Sequence, residues 1–388
     1  MNERTRLKTH SRLSNFYKAN HVMETDKGQL LFRIDSPGAV PQDLNSTRSE
    51  PETFEWIRGH LNENEVLWDI GANVGVFSLY AALGHKNKVL SIEPSAESYS
   101  TLNANIRLND LEEYIDALCF AGSEETNLLQ LYMKDPSSGA SHNSIDSASN
   151  QFGAFDVSGK QSVIAISLDD LEQIKGISSP NHIKLDVDGK EPEILSGATK
   201  VLKKVDSLLV EIEGKNSREN LKSIEIMDLA LKANPNNPHF LNNMGISHYK
   251  EDNFDKAEYY FKRGLEIEPR YINILNNLGN LKRDLNFTEE AIEYYKKSLA
   301  IKPDLPQTLY NLSLSYESLG KFDHAKDCLK KLLNYQPNFT IADRLISNMS
   351  KYSKNDFHIE EIEKKLNNKS LNQEQKSHLY FSLGKYYE

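Results

Sequence analysis

The segment Val66-Leu-Trp-Asp69-Ile-Gly71-Ala-Asn73-Val-Gly75-Val-Phe-Ser-Leu-Tyr passes from a short apolar run through two glycines into a helical pattern. Eighteen residues after Gly75, the run Lys88–Ile92 ends in Glu93-Pro94. Glycines at 71 and 75 let the backbone approach a ligand with no side chain between them. An acid closing the next strand can accept both hydroxyls of a ribose. A pyrophosphate loop wants Gly-x-Gly-x-x-Gly, whose middle glycine admits the phosphates. Here Asn73 holds that middle place and Asp69 precedes the loop. Carboxylates repel a pyrophosphate but suit a cofactor that carries an ammonium and a sulfonium. S-adenosylmethionine (SAM) therefore fits better than NAD, with NAD or no cofactor as the alternatives.

Strand, glycine loop, helix, strand and acid make up the first half of a Rossmann-like α/β fold, whose ligand lies at the C-terminal ends of parallel strands. The 388 residues suffice for two or three domains, and 38% hydrophobic with 26% charged residues describes a globular chain. Residues 1–214 hold 20 Lys/Arg against 32 Asp/Glu, whereas 215–388 hold 26 against 24. The acidic half is a poor match for a nucleic-acid backbone. No run approaches the ~18–20 apolar residues of a membrane span. Two cysteines, Cys119 and Cys328, suggest no disulfide framework, so a reduced, cytoplasmic setting is the expectation. The sequons at Asn286 and Asn338 then carry little weight.

The chain resembles the FkbM-family methyltransferases over about residues 45–214. The likeness rests on Glu52 to Gly75, on Ser167-Leu-Asp169-Asp-Leu171, and on Ile183-Lys-Leu-Asp186-Val-Asp188-Gly189-Lys-Glu191 continuing through Gly197-Ala. Val205-Asp-Ser-Leu-Leu-Val-Glu211 reads as the following strand. The resemblance implies a class I, SAM-dependent O-methyltransferase acting on hydroxyls of sugars, polysaccharide precursors or specialised metabolites. It implies that Asp69, Gly71, Asn73 and Gly75 form the loop at the methionine end and that Glu93 takes the ribose. Asp186 falls where class I folds place residues beside the transferred methyl, and Glu191 follows on the next helix. Asp188 stands where the family often has Glu. Further strands normally follow Glu211 in the family. Here Gly214 leads within a few residues into another pattern, so the sheet is expected to lack its last strands and to end in an open edge.

Asp186 is the first candidate base, its structural alternative being a cap for the next helix. Glu191 is the second candidate catalytic acid. Asp186, Asp188 and Glu191 also have the hard oxygens that Mg²⁺ prefers, but no metal is assigned. His142 lies in a polar loop that could overhang the pocket, and Glu211 and Glu213 share one strand face. Asp169-Asp170 suit a helix start better than catalysis. No Ser/His/Asp, Cys-x-x-Cys or His-x-x-x-His arrangement suggests a hydrolase or zinc site.

Pro235, Pro269, Pro303 and Pro337 stand 34 residues apart. Ala257, Ala291 and Ala325 share the step, as do Gly245, Gly279 and Ser313, and Phe261, Tyr295 and Leu329. The period resembles the tetratricopeptide repeat (TPR), a helix–turn–helix whose small residue admits the partner helix. Three units are expected at 238–271, 272–305 and 306–339, after a partial repeat that begins near 220. An atypical helical region is expected over 340–388, and residues 1–44 read as an N-terminal extension with a short strand near Leu30–Ile34 and a helix near Ser14. Such arrays present a concave surface to a protein or peptide. The alternative to an enzyme is a TPR adaptor that carries a degenerate methyltransferase-like domain.

Overall fold

The computed structural model describes residues 20–34, 50–84, 86–140, 143–150, 153–211, 217–352, 356–368 and 371–387. The expected helix near Ser14 lies outside them. The chain divides into two compact units, Met1–Phe240 and Leu241–Glu388.

The first unit begins with a hairpin of β1 (Asn20–Thr25) and β2 (Gly28–Arg33), followed by α1 (Pro51–His60), β3 (Val66–Ile70) and α2 (Val76–Ala82). Next come β4 (Lys88–Ile92), α3 (Ala96–Leu108), β5 (Ile115–Leu118), β6 (Ala121–Ser123), β7 (Asn127–Met133) and β8 (Ser144–Ile145). A two-residue pair, β9 (Ser149–Asn150) and β10 (Gly153–Ala154), precedes β11 (Gly159–Ser167) and α4 (Leu168–Leu171). The unit ends with β12 (His182–Leu185), α5 (Glu191–Ser196), β13 (Ser207–Val210) and α6 (Ser217–Ala233).

Strands β13-β12-β3-β4-β5 form one parallel sheet in that order. A central parallel strand is covered on both faces and reads as a continuous apolar run. Leu67, Trp68 and Ile70 of β3 satisfy this, each at most 1% exposed. β12 breaks the rule with His182 and Lys184, both buried and therefore held by partners. His182 bridges Ser207 Oγ at 2.7 Å and Glu65 Oε2 at 2.9 Å. A second sheet, β6-β11-β7-β8, packs Leu131, Met133, Val163 and Ala165 into its own cluster. Among the described residues no strand pairs with the outer side of β13.

The hairpin belongs to this core. Met23, Leu30 and Phe32 are fully buried, and the free edge of β2 is satisfied by side chains. Leu31 N donates to Asn109 Oδ1 and Arg33 N to Asn105 Oδ1, each at 2.8 Å. The helix Ser217–Ala233, expected as half of a leading repeat, packs on α5 and the turn Val201–Lys203 within the first unit.

The second unit is a helical array that includes Phe254–Ile267, Ile272–Asp284, Thr288–Ile301, Pro306–Ser318 and Phe322–Tyr335. The recurrent small residue meets an aromatic ring of the second helix. A Cβ on Gly245 would lie 2.5 Å from the Phe261 ring, and one on Gly279 would lie 2.4 Å from the Tyr295 ring. In the third copy both members change together, to Ser313 and Leu329. Tyr295 cannot retreat: it is fully buried and its hydroxyl donates to Asn280 Oδ1 at 2.7 Å. Gly279→Val should therefore lower the stability of this unit by about 1–3 kcal/mol, as overpacking does. Helical circular dichroism during urea unfolding measures this. Gly384→Ala, with no atom within 4 Å of the new Cβ, is the control. The irregular region 340–388 is helical at Thr340–Asn348, Phe357–Leu366 and Gln373–Tyr387. Asp343, fully buried, is compensated by Lys365 Nζ at 2.8 Å and His358 Nε2 at 3.2 Å.

Candidate functional site

The C-terminal ends of β3, β4, β12 and β13 open into a cavity of about 510 Å³. The loop after β3 makes its floor. Gly71 has φ +83°, and a Cβ there would lie 1.8 Å from the Asp186 carbonyl oxygen. Only glycine allows the loop to pass so close to the end of β12. Gly71 N and Ala72 N both donate to Ile92 O at 2.9 Å, which binds the loop to β4. Asn73 has φ +50°, a left-handed value that Asn tolerates better than most residues. Gly75, φ +93°, precedes α2, and a Cβ on it would meet Leu102 at 2.4 Å.

Glu93, 7% exposed, fastens this loop to the next strand. Its Oε2 accepts from Asn73 N and its Oε1 from Ser95 N, both at 2.8 Å. Burial raises its pKa to about 7 despite those two bonds, and the charges of Asp69 and Asp186 add to the rise. An acidic group raised in this way is favoured in its protonated form below that value, yet only the carboxylate accepts from two hydroxyls. Affinity for a ribose-bearing ligand should therefore rise about tenfold from about pH 6 to about pH 8. Calorimetric titration of the demethylated cofactor, S-adenosylhomocysteine (SAH), measures this, and Glu93→Gln should flatten the profile.

Asp69 does not line the cavity. It is 1% exposed beneath the loop, with Oδ2 accepting from Ser78 Oγ at 2.5 Å. Its other oxygen faces Lys184 Nζ at 3.7 Å. Lys184 stands opposite Asp69 in the register of β12 and β3 and also binds Asp186 Oδ2 at 3.1 Å. The ammonium lies 4.9 Å from the centre of the Phe77 ring, and the two carboxylates raise its pKa against the opposing effect of burial.

Asp186 and Asp188 line the cavity, but Glu191 does not. Glu191 is 1% exposed, with Oε1 accepting from Gly189 N at 3.0 Å and Oε2 paired with Lys222 of α6 at 2.6 Å. Glu191 therefore closes a turn and anchors α6. The carboxylates that gather around Asp186 are Glu50 and Glu211, each with an oxygen within 4.8 Å of the other two. The set Asp186, Asp188 and Glu191 is not grouped in this way. Burial first, then Asp186 and Glu50, push Glu211 up to about 9, and Lys184 opposes them. Asp169 clamps Lys200 N and Val201 N at 2.8 and 2.9 Å, a structural task. His142 and Glu213 lie outside the described residues.

The methyltransferase FkbM domain family matches residues 69–244, and tetratricopeptide repeats match 239–304 and 270–338. This chain carries an FkbM methyltransferase domain followed by tetratricopeptide repeats. The hexuronic acid methyltransferase AglP of Haloferax volcanii is 27% identical over 170 residues, which are 44% of this chain. The chain spans 64% of that relative's length. Among solved structures, MamA is similar over 43% of this chain and 89% of its own, at 21% identity and a TM-score of 0.34. The structure of YrrB, titled a TPR protein with an unusual peptide-binding site, is similar over 43% and 83% at 14% identity and a TM-score of 0.34.

Two residues of the methyltransferase domain's cavity escape sequence reasoning. Lys184 could have been found, because a lysine inside the buried run His182–Leu185 has to meet an acid, and Asp186 lies two residues on, just past the end of β12. Glu50 gives no such signal. It precedes α1, and only the tertiary fold brings it to Asp186.

Proposed function

We propose that this chain is a SAM-dependent O-methyltransferase acting on a hydroxyl of a sugar, polysaccharide precursor or specialised metabolite, with the repeats docking a protein or peptide partner. One arrangement carries the reading: the glycine-cornered loop, fastened to Glu93, lies against the end of β12 so that Glu93 and Asp186 line one cavity. The residues fit the cofactor. Gly71 lines the cavity with bare backbone, Glu93 offers carboxylate oxygens beside the loop, and the volume lies within the ~300–1,000 Å³ usual for such ligands. When bound, SAM supplies an electrophilic methyl on a sulfonium. Gly71 and Asn73 would hold its methionine end, Glu93 its ribose, and Asp186 the space beside the methyl. Asp69 and Gly75 shape the loop from beneath. Alignment of donor and acceptor accounts for as much as ~7–11 kcal/mol in well-oriented reactions, against ~10²–10⁴-fold for a base. Loop substitutions should therefore cost more than loss of a base.

The AglP name favours a sugar-type acceptor. Calorimetry with SAH tests the cofactor, and transfer of label from [methyl-³H]SAM tests the reaction. Absence of SAH binding by the full chain would favour the adaptor reading.

A further inference from the structure

The acid best placed to take a hydroxyl proton is not Asp186. Asp186 Oδ2 is committed to Lys184, whose other partner, Asp69, is more distant at 3.7 Å. A proton drawn onto Asp186 would leave a fully buried ammonium with that weaker contact. Among the described residues neither Glu50 nor Glu211 forms a direct ion pair, and Lys184 acts on Glu211 only at longer range. Both line the cavity, and both face Asp186, whose main chain lies against Gly71 of the loop. The three acids thus sit on the loop side of the cavity, where an acceptor would approach the methyl.

Two carboxylates this close are stable together when one carries a proton and donates it to the other. Glu211 is the member that keeps the proton, since burial and the charges of Glu50 and Asp186 raise it to about 9 while Lys184 pulls the other way. Glu50 is the member held as an acceptor: its Oε2 also receives the Thr53 hydroxyl at 3.3 Å.

We propose that Glu50 is the proton acceptor for the acceptor hydroxyl, positioned by a protonated Glu211 that donates a hydrogen bond to it. This rests on the methyltransferase reading above. As the hydroxyl oxygen forms its bond to the methyl, the C–S bond breaks and its electron pair stays on sulfur. The O–H proton passes to Glu50, which later releases it to water through the cavity mouth. Charge balances, because the positive sulfonium and the negative carboxylate are both neutral afterwards.

Infrared difference spectroscopy of the full chain with ¹³C-labelled glutamate tests the pair without any acceptor. At about pH 8, above the value for Glu93, a protonated glutamate carbonyl should remain, and Glu211→Gln should remove it. Its absence from the unmodified chain, its persistence in Glu211→Gln, or its loss on adding millimolar Mg²⁺ would overturn the proposal. A second arm uses [methyl-³H]SAM with a mixture of methyl hexopyranosides. Glu50→Gln should lower the transfer rate ~10²–10⁴-fold with SAH affinity retained. Glu211→Ala should also lower it, and Glu211→Gln should recover part of the loss while removing the fall in rate above about pH 9. An active Glu50→Gln enzyme sinks the inference alone, whereas failure of the unmodified chain to bind SAH sinks the cofactor reading.

Discussion

Replacing Gly71 with valine is expected to weaken SAH binding at least ~100-fold, about 2.7 kcal/mol. A left-handed backbone costs an L-residue roughly 1–2 kcal/mol, and valine's branched Cβ adds to that. Space matters more. The new Cβ would lie 1.8 Å from the Asp186 oxygen and 2.9 Å from its carbonyl carbon. Both atoms are backbone at the end of β12, so no side chain can swing aside. The loop must lift, and its bonds from Gly71 and Ala72 to Ile92 go with it. Calorimetric titration reads the loss. Gly59→Ala, with open space around its Cβ, controls for a general glycine effect, and equal affinity in Gly71→Val would refute the close approach.

Lys184→Met is expected to destabilise the first unit by about 3–5 kcal/mol, the range seen when one partner of a buried pair is removed. The substitution leaves Asp69 buried at 1% exposure with Ser78 as its neutral partner. Asp186, about a third exposed, can turn to water and contributes less. For a unit of this size the midpoint should fall by roughly 6–20 °C. Lys184 has a raised pKa in the fold, so its contribution is complete below the ordinary lysine value and is lost only as the pH rises through the higher folded one. The deficit should therefore be the same at about pH 7 and about pH 9. Asp69→Asn added to Lys184→Met should recover much of it, and additive losses in the double variant would count against the pair.

The elements around the loop are legible in the sequence for local reasons. Val66–Ile70 and Lys88–Ile92 are short apolar runs that end at a glycine turn or an acid, and each is a buried strand. The 34-residue step marks the repeats because each copy solves the same packing problem, as the pairs Gly245–Phe261 and Gly279–Tyr295 show. Chemistry was harder to read than structure. Asp186 and Glu191 are five residues apart, yet one faces the cavity and the other pairs with Lys222 on α6. Spacing across a turn does not tell on which side of the following helix a carboxylate will fall. The hairpin at 20–33 was legible as a strand near Leu30, but its place in the core was not, because Asn105 and Asn109, which cap its edge, are remote in sequence.

By itself, the sequence determined the parallel α/β unit, the glycine corners that no other residue could form, and the periodic helices. These follow from backbone sterics and from repeating apolar positions, which act over a few residues. The tertiary structure decided which charges meet. The strand order β13-β12-β3-β4-β5 sets Lys184 opposite Asp69 and brings β13 and α1 to Asp186. Electrostatics in a buried site depends on distances and solvent exclusion that arise only once remote segments have packed.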